Sequence, residues 1–276
     1  MTDPGDRGQR VGKARLDAEL VRRGLVRSRA QARQLVTRGV VLVDGATATK
    51  PSTPISAANA IVLAEEPDRW VGRAAYKLLE ALRLFGEAGL TVVGKRCLDV
   101  GASTGGFTQV LLEAGAAHVT ALDVGHDQLV PEVAEDARVE ERSGLNIREV
   151  RPGDLGHDFD VVVADLSFIS LRLVLDVVAS VMTPAADAVL LVKPQFEVGR
   201  ERLARTGVVT SPHEHERVLL DVLEAARTAG LHPWGLEPSP IRGTTGNREY
   251  LLWVRTRPGE PLDERSVAAV VRRNAE

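Results

Sequence analysis

Four charged residues between positions 77 and 249 have the types and spacing needed to activate a weakly acidic hydroxyl group. Asp165 and Lys193 each end an apolar run that predicts a buried β-strand, and Glu249 opens the last such run. Lys77 lies on a predicted helix ahead of a glycine-rich loop. The carboxyl ends of strands line the ligand crevice of an open α/β sheet. We therefore expect Asp165 and Lys193 to converge there, with Lys77 and Glu249 within reach.

Two lysines and two carboxylates can together remove a proton from an alcohol such as a ribose 2′-hydroxyl. A hydroxyl is a poor nucleophile until a base takes its proton or a cation stabilises the developing alkoxide. A partly desolvated lysine beside a second cation releases its own proton more readily, so it can act as that base. The carboxylates would orient the amines and balance their charge. Each residue taken alone could equally form a surface salt bridge, and it is their joint placement that favours a catalytic set.

A loop of small residues follows the first predicted strand of this region and opens a helix. Small residues let the backbone turn sharply and approach a ligand, and the helix start supplies free N–H groups. The loop lacks the Gly-x-Gly-x-x-Gly spacing of a dinucleotide site. The preceding carboxylate, Asp99, suits a ligand that carries an ammonium group, such as the amino acid part of S-adenosylmethionine. The loop residues expected to hold this cofactor are Gly101, Ala102, Ser103, Gly105, Gly106 and Phe107.

Two further polar residues follow the next predicted strands and could complete a nucleoside site. Asp123 ends the second strand, where a carboxylate can accept both hydroxyls of a ribose. Asn146 follows the third strand and could hydrogen-bond an adenine edge. Asp165 would border the same cofactor. Each of these residues could instead be an ordinary polar residue of a loop.

Metal-dependent chemistry is not expected from this sequence. The six histidines show no spacing typical of metal ligands. We expect His213 and His215 to lie on the solvated face of a helix.

The first 60 residues are basic, whereas the remainder of the chain is acidic. Residues 1–60 hold 11 of the 35 Lys and Arg but only 5 of the 38 Asp and Glu. This asymmetry is typical of a nucleic-acid-binding module joined to an acidic body, although a solvated basic face would give the same balance. The arginines expected to contact nucleic-acid phosphates are Arg15, Arg22, Arg23, Arg29, Arg33, Arg38, Arg69 and Arg73.

Composition and periodicity divide the chain into four segments. We expect a disordered tail at 1–12, an RNA-binding domain at 13–64, a linker at 65–73 and a larger domain at 74–276. The RNA-binding domain should contain helices at 14–24 and 29–38, the second capped by Ser28. It should also contain strands at 40–43, 46–49 and 61–63, the first two joined by a tight turn at Asp44 and Gly45.

The larger domain alternates strands with helices, which predicts a Rossmann-like, mainly parallel seven-stranded sheet with helices on both faces. Strands are expected near 96–100, 118–123, 138–142, 159–164, 187–192, 231–237 and 249–255. Helices are expected near 74–86, 105–114, 127–136, 170–182, 213–229 and 263–274.

Bulk composition is that of a soluble globular protein, with 44% hydrophobic and 26% charged residues. One cysteine allows no internal disulfide, which fits a reducing cytoplasm. No apolar run reaches the roughly 18 to 20 residues of a membrane span, and the polar N-terminus does not look like a signal peptide. We therefore expect a cytoplasmic protein without a membrane partner, most simply a monomer.

Several stretches together resemble the TlyA family of ribosomal RNA 2′-O-methyltransferases, which are related to the FtsJ/RrmJ heat-shock methyltransferases. The N-terminal run Arg-Leu-Asp-Ala-Glu-Leu-Val-Arg-Arg-Gly resembles the RNA-binding module first seen in ribosomal protein S-four. The resemblance covers about residues 14–270. The stretches that carry it in the larger domain are Gly-Ala-Ser-Thr-Gly-Gly-Phe-Thr (101–108), Ala-Asp-Leu-Ser-Phe-Ile-Ser (164–170), Leu-Val-Lys-Pro-Gln-Phe-Glu-Val-Gly (191–199), Gly-Val-Val (207–209) and Ser-Pro-Ile-Arg-Gly-Thr-Thr-Gly-Asn-Arg-Glu-Tyr (239–250).

This resemblance implies that Lys77, Asp165, Lys193 and Glu249 form a catalytic tetrad. It also implies S-adenosylmethionine as cofactor and cytidine 2′-hydroxyls of small- and large-subunit ribosomal RNA as substrate. In such families the methylation confers sensitivity to capreomycin and viomycin, and some members carry the name haemolysin.

Two other classes of function remain open from the sequence. A membrane-active haemolysin would need a span, a signal sequence or a strongly amphipathic lytic helix, and none is evident. A non-enzymatic RNA-binding or ribosome-assembly factor would have no use for an intact tetrad, although RNA binding could be a second role.

Overall fold

The computed structural model describes residues 13–259 and 262–274, so the predicted disordered tail at 1–12 lies outside the described residues. The chain separates into two compact units, 1–69 and 70–276. None of the helices in the described ranges combines the length and the apolar character that crossing a membrane requires.

The first unit is a small α+β fold built on apolar helix faces. Leu16, Leu20, Leu35 and Val36 are buried and pack with Val41 of the sheet. Its helices are α1 (Leu16–Arg22) and α2 (Arg29–Thr37). Its strands are β1 (Ala14–Arg15), β2 (Val41–Val43), β3 (Ala46–Thr47), β4 (Pro54–Ile55) and β5 (Ile61–Leu63). All pairings are antiparallel: β2 with both β3 and β5, and β1 with β4.

Local sequence signals set the ends of these elements. The Ser28 hydroxyl accepts a hydrogen bond from the Gln31 N–H and caps α2, as predicted. Asp44 and Gly45 have φ values of 49° and 83°, the left-handed pair that a two-residue hairpin turn requires. The β1–β4 pairing was not predicted, because a two-residue strand offers no alternation to recognise.

The second unit contains, in its described residues, a seven-stranded sheet with helices on both faces, which confirms the predicted fold class. Its strands are β6 (Arg96–Val100), β7 (His118–Asp123), β8 (Val139–Ser143), β9 (Phe159–Ala164), β10 (Met182–Val192), β11 (His232–Pro238) and β12 (Tyr250–Arg255). Its helices are α3 (Ala75–Gly86), α4 (Gly106–Glu113), α5 (Pro131–Ala134), α6 (Leu175–Ser180), α7 (Pro194–Glu197), α8 (Pro212–Thr228) and α9 (Glu264–Arg273).

The sheet runs in the order β11-β12-β10-β9-β6-β7-β8. Strands β10, β9, β6, β7 and β8 are parallel neighbours, whereas β12 is antiparallel to both β10 and β11. Because β12 is reversed, it begins at the edge of the sheet where its parallel neighbours end. Its first residue, Tyr250, lies opposite Val192, the last residue of β10.

The central strands are apolar throughout because helices cover both of their faces. In β10, Leu190 and Val192 belong to one core, and Val189 and Leu191 belong to the core on the opposite face. This period of two explains why the sequence shows a continuous apolar run rather than an alternating one.

Three predicted elements of the second unit differ from the observed ones by more than two residues at one end. The helix expected at 127–136 is reduced to α5, since Asp127 adopts a positive φ of 51° and Pro131 occupies the first turn. The helix expected at 170–182 is a 3-10 turn (Leu171–Leu173) followed by α6, with the break at Val174. Strand β10 begins at Met182, ahead of an irregular register that ends at Asp187.

Gly105 is the residue of the glycine-rich loop with the tightest surroundings. Its φ is +94°, and a Cβ there would lie 2.9 Å from Cγ1 of Val133 and 3.0 Å from Cδ2 of Leu129. Both the backbone conformation and the space therefore require glycine at the start of α4.

We expect Gly105→Ala to destabilise the protein more than Gly153→Ala does. Gly153 has a similar φ of +90° but nothing within 4 Å of its Cβ position, so its variant isolates the left-handed backbone penalty of about 1–2 kcal/mol. The clash at Gly105 should add about 1–3 kcal/mol. Urea unfolding of both variants measures the difference, and equal free energies of unfolding would refute the packing argument.

Candidate active site

The four predicted catalytic residues lie in direct contact at one edge of the seven-stranded sheet. The Lys77 ammonium Nζ is 3.1 Å from Oδ2 of Asp165 and 2.6 Å from Oε2 of Glu249. Lys193 Nζ is 2.7 Å from Oδ1 of the same aspartate and donates to the Ser167 hydroxyl at 3.0 Å. Asp165 is therefore shared between two lysines, and Lys77 is shared between two carboxylates.

The strand directions explain why residues so distant in sequence meet. Asp165 directly follows β9, Lys193 directly follows β10, and Glu249 directly precedes the reversed strand β12. All three backbones thus end or begin at the same edge of the sheet. Lys77 reaches this edge from the first turns of α3.

Burial strengthens the electrostatic interactions among these four charged side chains. Lys77, Lys193 and Glu249 are buried, and the side chain of Asp165 is only 12% exposed. Burial acts to raise the pKa of Asp165, but the charges of Lys77 and Lys193 outweigh it and hold that pKa below its usual range. Two positive and two negative charges balance, as a buried ionic cluster requires.

A cavity of about 570 Å³ opens beside these four residues. Its volume lies within the range of small-molecule binding sites. Its remaining lining residues are Arg73, Ala74, Ser167, Phe168, Gln195, Phe196, Leu203, Gly207, Gly243, Thr244 and Thr245. We call it the substrate cavity.

Two further cavities, of about 250 and 820 Å³, lie along the glycine-rich loop and also reach Asp165 and Ser167. The smaller is lined by Gly101, Ala102, Ser103, Gly106 and Phe107 of the predicted loop, and the larger by Gly101, Ser103, Asp123 and Asn146. We call them together the cofactor cavity. Asp165 therefore stands at the boundary between the cofactor and substrate cavities.

Asp123 and Asn146 each hold backbone as well as facing the cofactor cavity. The carboxylate of Asp123 accepts hydrogen bonds from Ser103 N at 2.8 Å and Gly125 N at 2.8 Å, which fixes the loop against the end of β7. Oδ1 of Asn146 accepts from Arg148 N at 3.1 Å. Asp123 and Asn146 thus both hold the local backbone in place and form part of the cavity wall.

Asp99 lies below the loop and is fully buried, rather than lining the cavity. Its Oδ2 accepts from the Thr108 hydroxyl at 2.7 Å, while Oδ1 has no hydrogen-bond partner among the described residues. Burial raises the pKa of Asp99 to about 7.

Several cavity residues were not singled out in the sequence. Ser167, Phe168, Gln195 and Phe196 follow Asp165 and Lys193 within three residues, and Gln128 lies in the cofactor cavity beside Asp123. Proximity to the strand ends was the available signal for the first four. Gln128 carried none, because it sits in a loop that was predicted to be helical.

His215 corrects an expectation, whereas His213 is exposed as predicted. His215 is buried and was wrongly assigned to a solvated face. Its Nε2 contacts the Val209 carbonyl at 2.9 Å, and its Nδ1 contacts the Tyr250 hydroxyl at 2.8 Å. It links α8 to the start of β12 and so supports the segment that carries Glu249.

The predicted RNA-binding arginines of the first unit are organised by buried carboxylates. Asp17 is fully buried and pairs with Arg15 at 3.0 Å, Arg29 at 3.0 Å and Arg33 at 3.5 Å. These arginines, and the hydrogen bond from Arg15 most of all, hold the pKa of Asp17 well below its usual range. The three guanidinium side chains remain 50–57% exposed.

The other predicted arginines occupy more varied surroundings. Arg22 and Arg23 both pair with Glu19, but Arg23 is only 22% exposed and also donates to the carbonyls of Ser56 and Asn59. Arg38 pairs with Glu65. The backbone carbonyl of Arg69 accepts a hydrogen bond from the Arg27 side chain. The Arg73 side chain donates a hydrogen bond to the Arg242 carbonyl beside the substrate cavity.

The strand order with one reversed strand, the glycine-rich loop and the cavity beside it define the class I methyltransferase fold. Residues 70–256 match the model of FtsJ-like methyltransferases, and residues 14–61 match the S4 domain. The chain is 47% identical, over 95% of its length and 97% of the relative, to the 16S/23S rRNA (cytidine-2′-O)-methyltransferase TlyA of Mycobacterium tuberculosis.

Other relatives extend this likeness. The chain is 34% identical, over 86% of its length and 98% of the relative, to Hemolysin A of Brachyspira hyodysenteriae. A solved structure of a hemolysin-named protein from Streptococcus thermophilus superposes with a TM-score of 0.73 at 36% identity, covering 96% of both chains. The chain therefore belongs to the TlyA family of FtsJ-like methyltransferases, whose cofactor is S-adenosylmethionine.

The residues present fit this cofactor. Gly101 lines both parts of the cofactor cavity, and a Cβ there would lie 3.2 Å from the Asp165 carbonyl oxygen, so glycine lets the loop approach Asp165 closely. The carboxylate of Asp123 faces the larger part of that cavity. The unpartnered Oδ1 of Asp99 leaves a buried acceptor near the loop.

We expect Lys77→Met to lower the free energy of unfolding by about 3 kcal/mol at neutral pH, because Asp165 and Glu249 lose their shared cation. A carboxylate whose pKa is lowered by folding stabilises the protein above its unfolded pKa and loses that contribution as the pH falls. Because Lys77 and Lys193 hold the pKa of Asp165 below its usual range, the loss in the variant should shrink as the pH falls below about 4, where Asp165 becomes protonated.

Urea is the suitable denaturant for this test because guanidinium would screen the charges. Arg83→Met is the matched control, since Arg83 lies on the same helix in an exposed pair with Glu80 and should contribute less than about 0.5 kcal/mol. A pH-independent loss in the Lys77 variant would contradict the charge-balance account.

We also expect Asp99→Asn to change how stability depends on pH. Folding raises the pKa of Asp99 from 3.8 to about 7, so the folded protein favours the protonated carboxyl. The contribution of Asp99 to the free energy of unfolding is therefore fully present below the unfolded pKa and is lost as the pH rises toward 7. The variant lacks this loss, so its free energy of unfolding relative to that of the wild type should rise by up to about 3 kcal/mol between about pH 5 and pH 7.5. Unfolding curves without ligand test this, and parallel profiles would show that Asp99 is already ionised at pH 5.

Proposed function

We propose that this protein transfers a methyl group from S-adenosylmethionine to the 2′-hydroxyl of cytidine in ribosomal RNA. The observation that carries the proposal is the contact of Asp165 with both Lys77 and Lys193 at the boundary between two cavities. A hydroxyl placed in the substrate cavity at this boundary would face a methyl donor held in the cofactor cavity. In-line positioning of this kind supplies much of the rate enhancement of a transfer reaction.

S-adenosylmethionine would supply a methyl group bound to a sulfonium sulfur, and this sulfur is a good leaving group. We assign proton removal to Lys193, because its Nζ lies between Asp165 and Ser167 and lines both cavities. Asp165 orients that amine and keeps the second ammonium, of Lys77, beside the developing alkoxide. Glu249 holds Lys77 from the other side.

Cofactor binding is assigned to the predicted loop residues that line the cofactor cavity together with Asp123 and Asn146, namely Gly101, Ala102, Ser103, Gly106 and Phe107. Gly105 lines neither part of this cavity and instead shapes the loop by packing against Leu129 and Val133. Asp99 lies outside the walls of this cavity and supports the loop from beneath by accepting from the Thr108 hydroxyl of α4. Asp165 completes the site at the boundary with the substrate cavity.

Ribosomal RNA as substrate is supported by the S4 match and by the names of the relatives, which include 16S and 23S rRNA cytidine-2′-O-methyltransferases. We infer that residues 13–64 bind RNA, that 65–73 link the domains and that 74–276 catalyse. Both ribosomal subunits are the proposed targets of a cytoplasmic monomer, and methylation would confer sensitivity to capreomycin and viomycin.

RNA phosphates are best matched by Arg15, Arg29 and Arg33. Three half-exposed guanidinium groups share the single buried carboxylate of Asp17, so their net charge is positive and their positions are fixed in advance. Such an array favours binding that weakens as salt rises. Arg23 is mostly covered, and its contacts to Ser56 and Asn59 point to a structural role.

Methyl transfer from labelled S-adenosylmethionine to separated, unmodified ribosomal subunits tests the proposal. The wild type should label RNA, and Lys193→Ala should lower the rate at least about 100-fold, the usual contribution of a general base. Calorimetric affinity for the cofactor should fall much less than the rate, because the loop, Asp123 and Asn146, which make up most of the assigned cofactor site, are unchanged in the variant.

Lys95→Ala is the matched lysine control, since Lys95 immediately precedes β6 at the opposite edge of the sheet. It should retain the wild-type rate. Retained turnover in Lys193→Ala would contradict the assignment of Lys193 as the base. Absence of labelled RNA with the wild type would contradict the proposal that ribosomal RNA is the substrate.

A further inference from the structure

The two lysines of the cluster differ in the charge of their partners. Lys77 Nζ lies between two carboxylates, 3.1 Å from Oδ2 of Asp165 and 2.6 Å from Oε2 of Glu249. Lys193 Nζ lies between one carboxylate and a neutral hydroxyl, 2.7 Å from Oδ1 of Asp165 and 3.0 Å from Oγ of Ser167. Lys193 is therefore in contact with less negative charge than Lys77, which suits an amine that has to lose and regain a proton.

The direction of the hydrogen bond between Lys193 and Ser167 is fixed by the chemistry of the ammonium group. An ammonium has three N–H donors and no acceptor, so the serine hydroxyl can only accept from it. Asp165 takes a second donor. The third donor has no hydrogen-bond partner among the described residues, and Lys193 lines both the substrate cavity and the smaller part of the cofactor cavity. The third position is thus open to a substrate oxygen.

The segment that carries Ser167 is tied to α7, which begins directly after the lysine. Glu197 of this helix accepts from Leu171 N at 2.6 Å. Phe196 of the same helix packs on Phe168 with 5.3 Å between ring centroids. Phe168 has a φ of 65°, a left-handed conformation that is costly for an aromatic residue and persists only where the surroundings impose it. The hydroxyl of Ser167 and the lysine amine are therefore held beside each other by the fold.

From this placement we propose that Ser167 is a positioning residue for proton removal, because its hydroxyl stabilises the ammonium group that forms on Lys193. The proton leaves the ribose oxygen for the neutral amine of Lys193, and the electron pair of that O–H bond stays on the oxygen. This oxygen then bonds to the transferred methyl group as the bond from methyl to sulfur breaks. The inference rests on the proposed function, because it takes Lys193 as the base.

The charged surroundings of Lys193 stay the same when Ser167 is changed, so the pH dependence of the rate reports on the hydroxyl. The charged groups that share the substrate cavity or the ionic cluster with Lys193 are Asp165, Lys77, Glu249 and Arg73.

The test is single-turnover methyl transfer to unmodified ribosomal subunits, with saturating S-adenosylmethionine, between about pH 6 and pH 9. Ser167→Ala should lower the maximal rate about 10-fold, since hydrogen bonds to charged groups are the stronger class. The ammonium loses an acceptor, so it should release its proton at lower pH and the acid limb of the profile should move down in pH. The deficit should therefore shrink as the pH falls.

Two further variants separate the hydroxyl from the shape of the side chain. Ser167→Asp places a second carboxylate beside the amine, which favours the ammonium and should move the acid limb to higher pH, opposite to Ser167→Ala. Ser167→Thr keeps the hydroxyl and should restore most of the wild-type rate.

Ser180→Ala is the control for loss of a serine hydroxyl. Ser180 ends α6, donates to the Val177 carbonyl at 2.8 Å and lines neither the substrate nor the cofactor cavity. It should keep the wild-type profile. The thermal midpoint should be unchanged in every variant, which separates proton removal from folding.

The outcomes distinguish this inference from the function on which it rests. If the wild type labels no ribosomal RNA, or if Lys193→Ala keeps its turnover, the proposed function or its base fails first. If both of those results are as expected, three outcomes overturn the role of Ser167 alone. They are a full rate in Ser167→Ala, a deficit that is the same at every pH, and a Ser167→Thr variant as slow as Ser167→Ala at an unchanged thermal midpoint.

Discussion

The buried carboxylate of Asp165, shared between two lysines, is the interaction on which the rest of the site depends. Each lysine amine would be expensive to bury alone, and the lowered pKa of Asp165 keeps it charged so that it can offset them. Glu249 completes the balance at Lys77. The cluster therefore holds two amines and two carboxylates in mutual contact beside the substrate cavity, so that one amine can take the proton of an alcohol while the second stabilises the developing alkoxide.

One topological feature makes this cluster possible. Strand β12 runs against its neighbours, so Glu249 at its start meets Asp165 and Lys193 at the ends of β9 and β10. A parallel strand at this position would have carried its first residue to the opposite edge. The polar support behind it, from His215 to Tyr250, is buried at the same end of the sheet and holds β12 to α8.

The sequence was informative where a single physical rule decides the structure. Covered parallel strands are continuous apolar runs, so their ends were visible, and with them Asp165 and Lys193. His215 stands in register with the apolar residues Val218 and Val222 of α8, so its burial was visible in the pattern. The sequence could not show the Val209 carbonyl and the Tyr250 hydroxyl that satisfy its ring nitrogens. Neither could it place Asp99 beneath the loop rather than in the cavity wall, because depth depends on packing between distant segments. Ser167 escaped notice for a related reason, since a cavity wall is defined by several elements at once.

The account claims that the cluster acts on a ribose hydroxyl, and the position of the transferred methyl group tests this most directly. Ribosomal RNA methylated by the purified protein would be digested to nucleosides and also cleaved with alkali, which needs a free 2′-hydroxyl. The account predicts a methylated ribose on cytidine and a gap in the alkaline ladder at that nucleotide. A methyl group on a base, with the ladder uninterrupted, would contradict it.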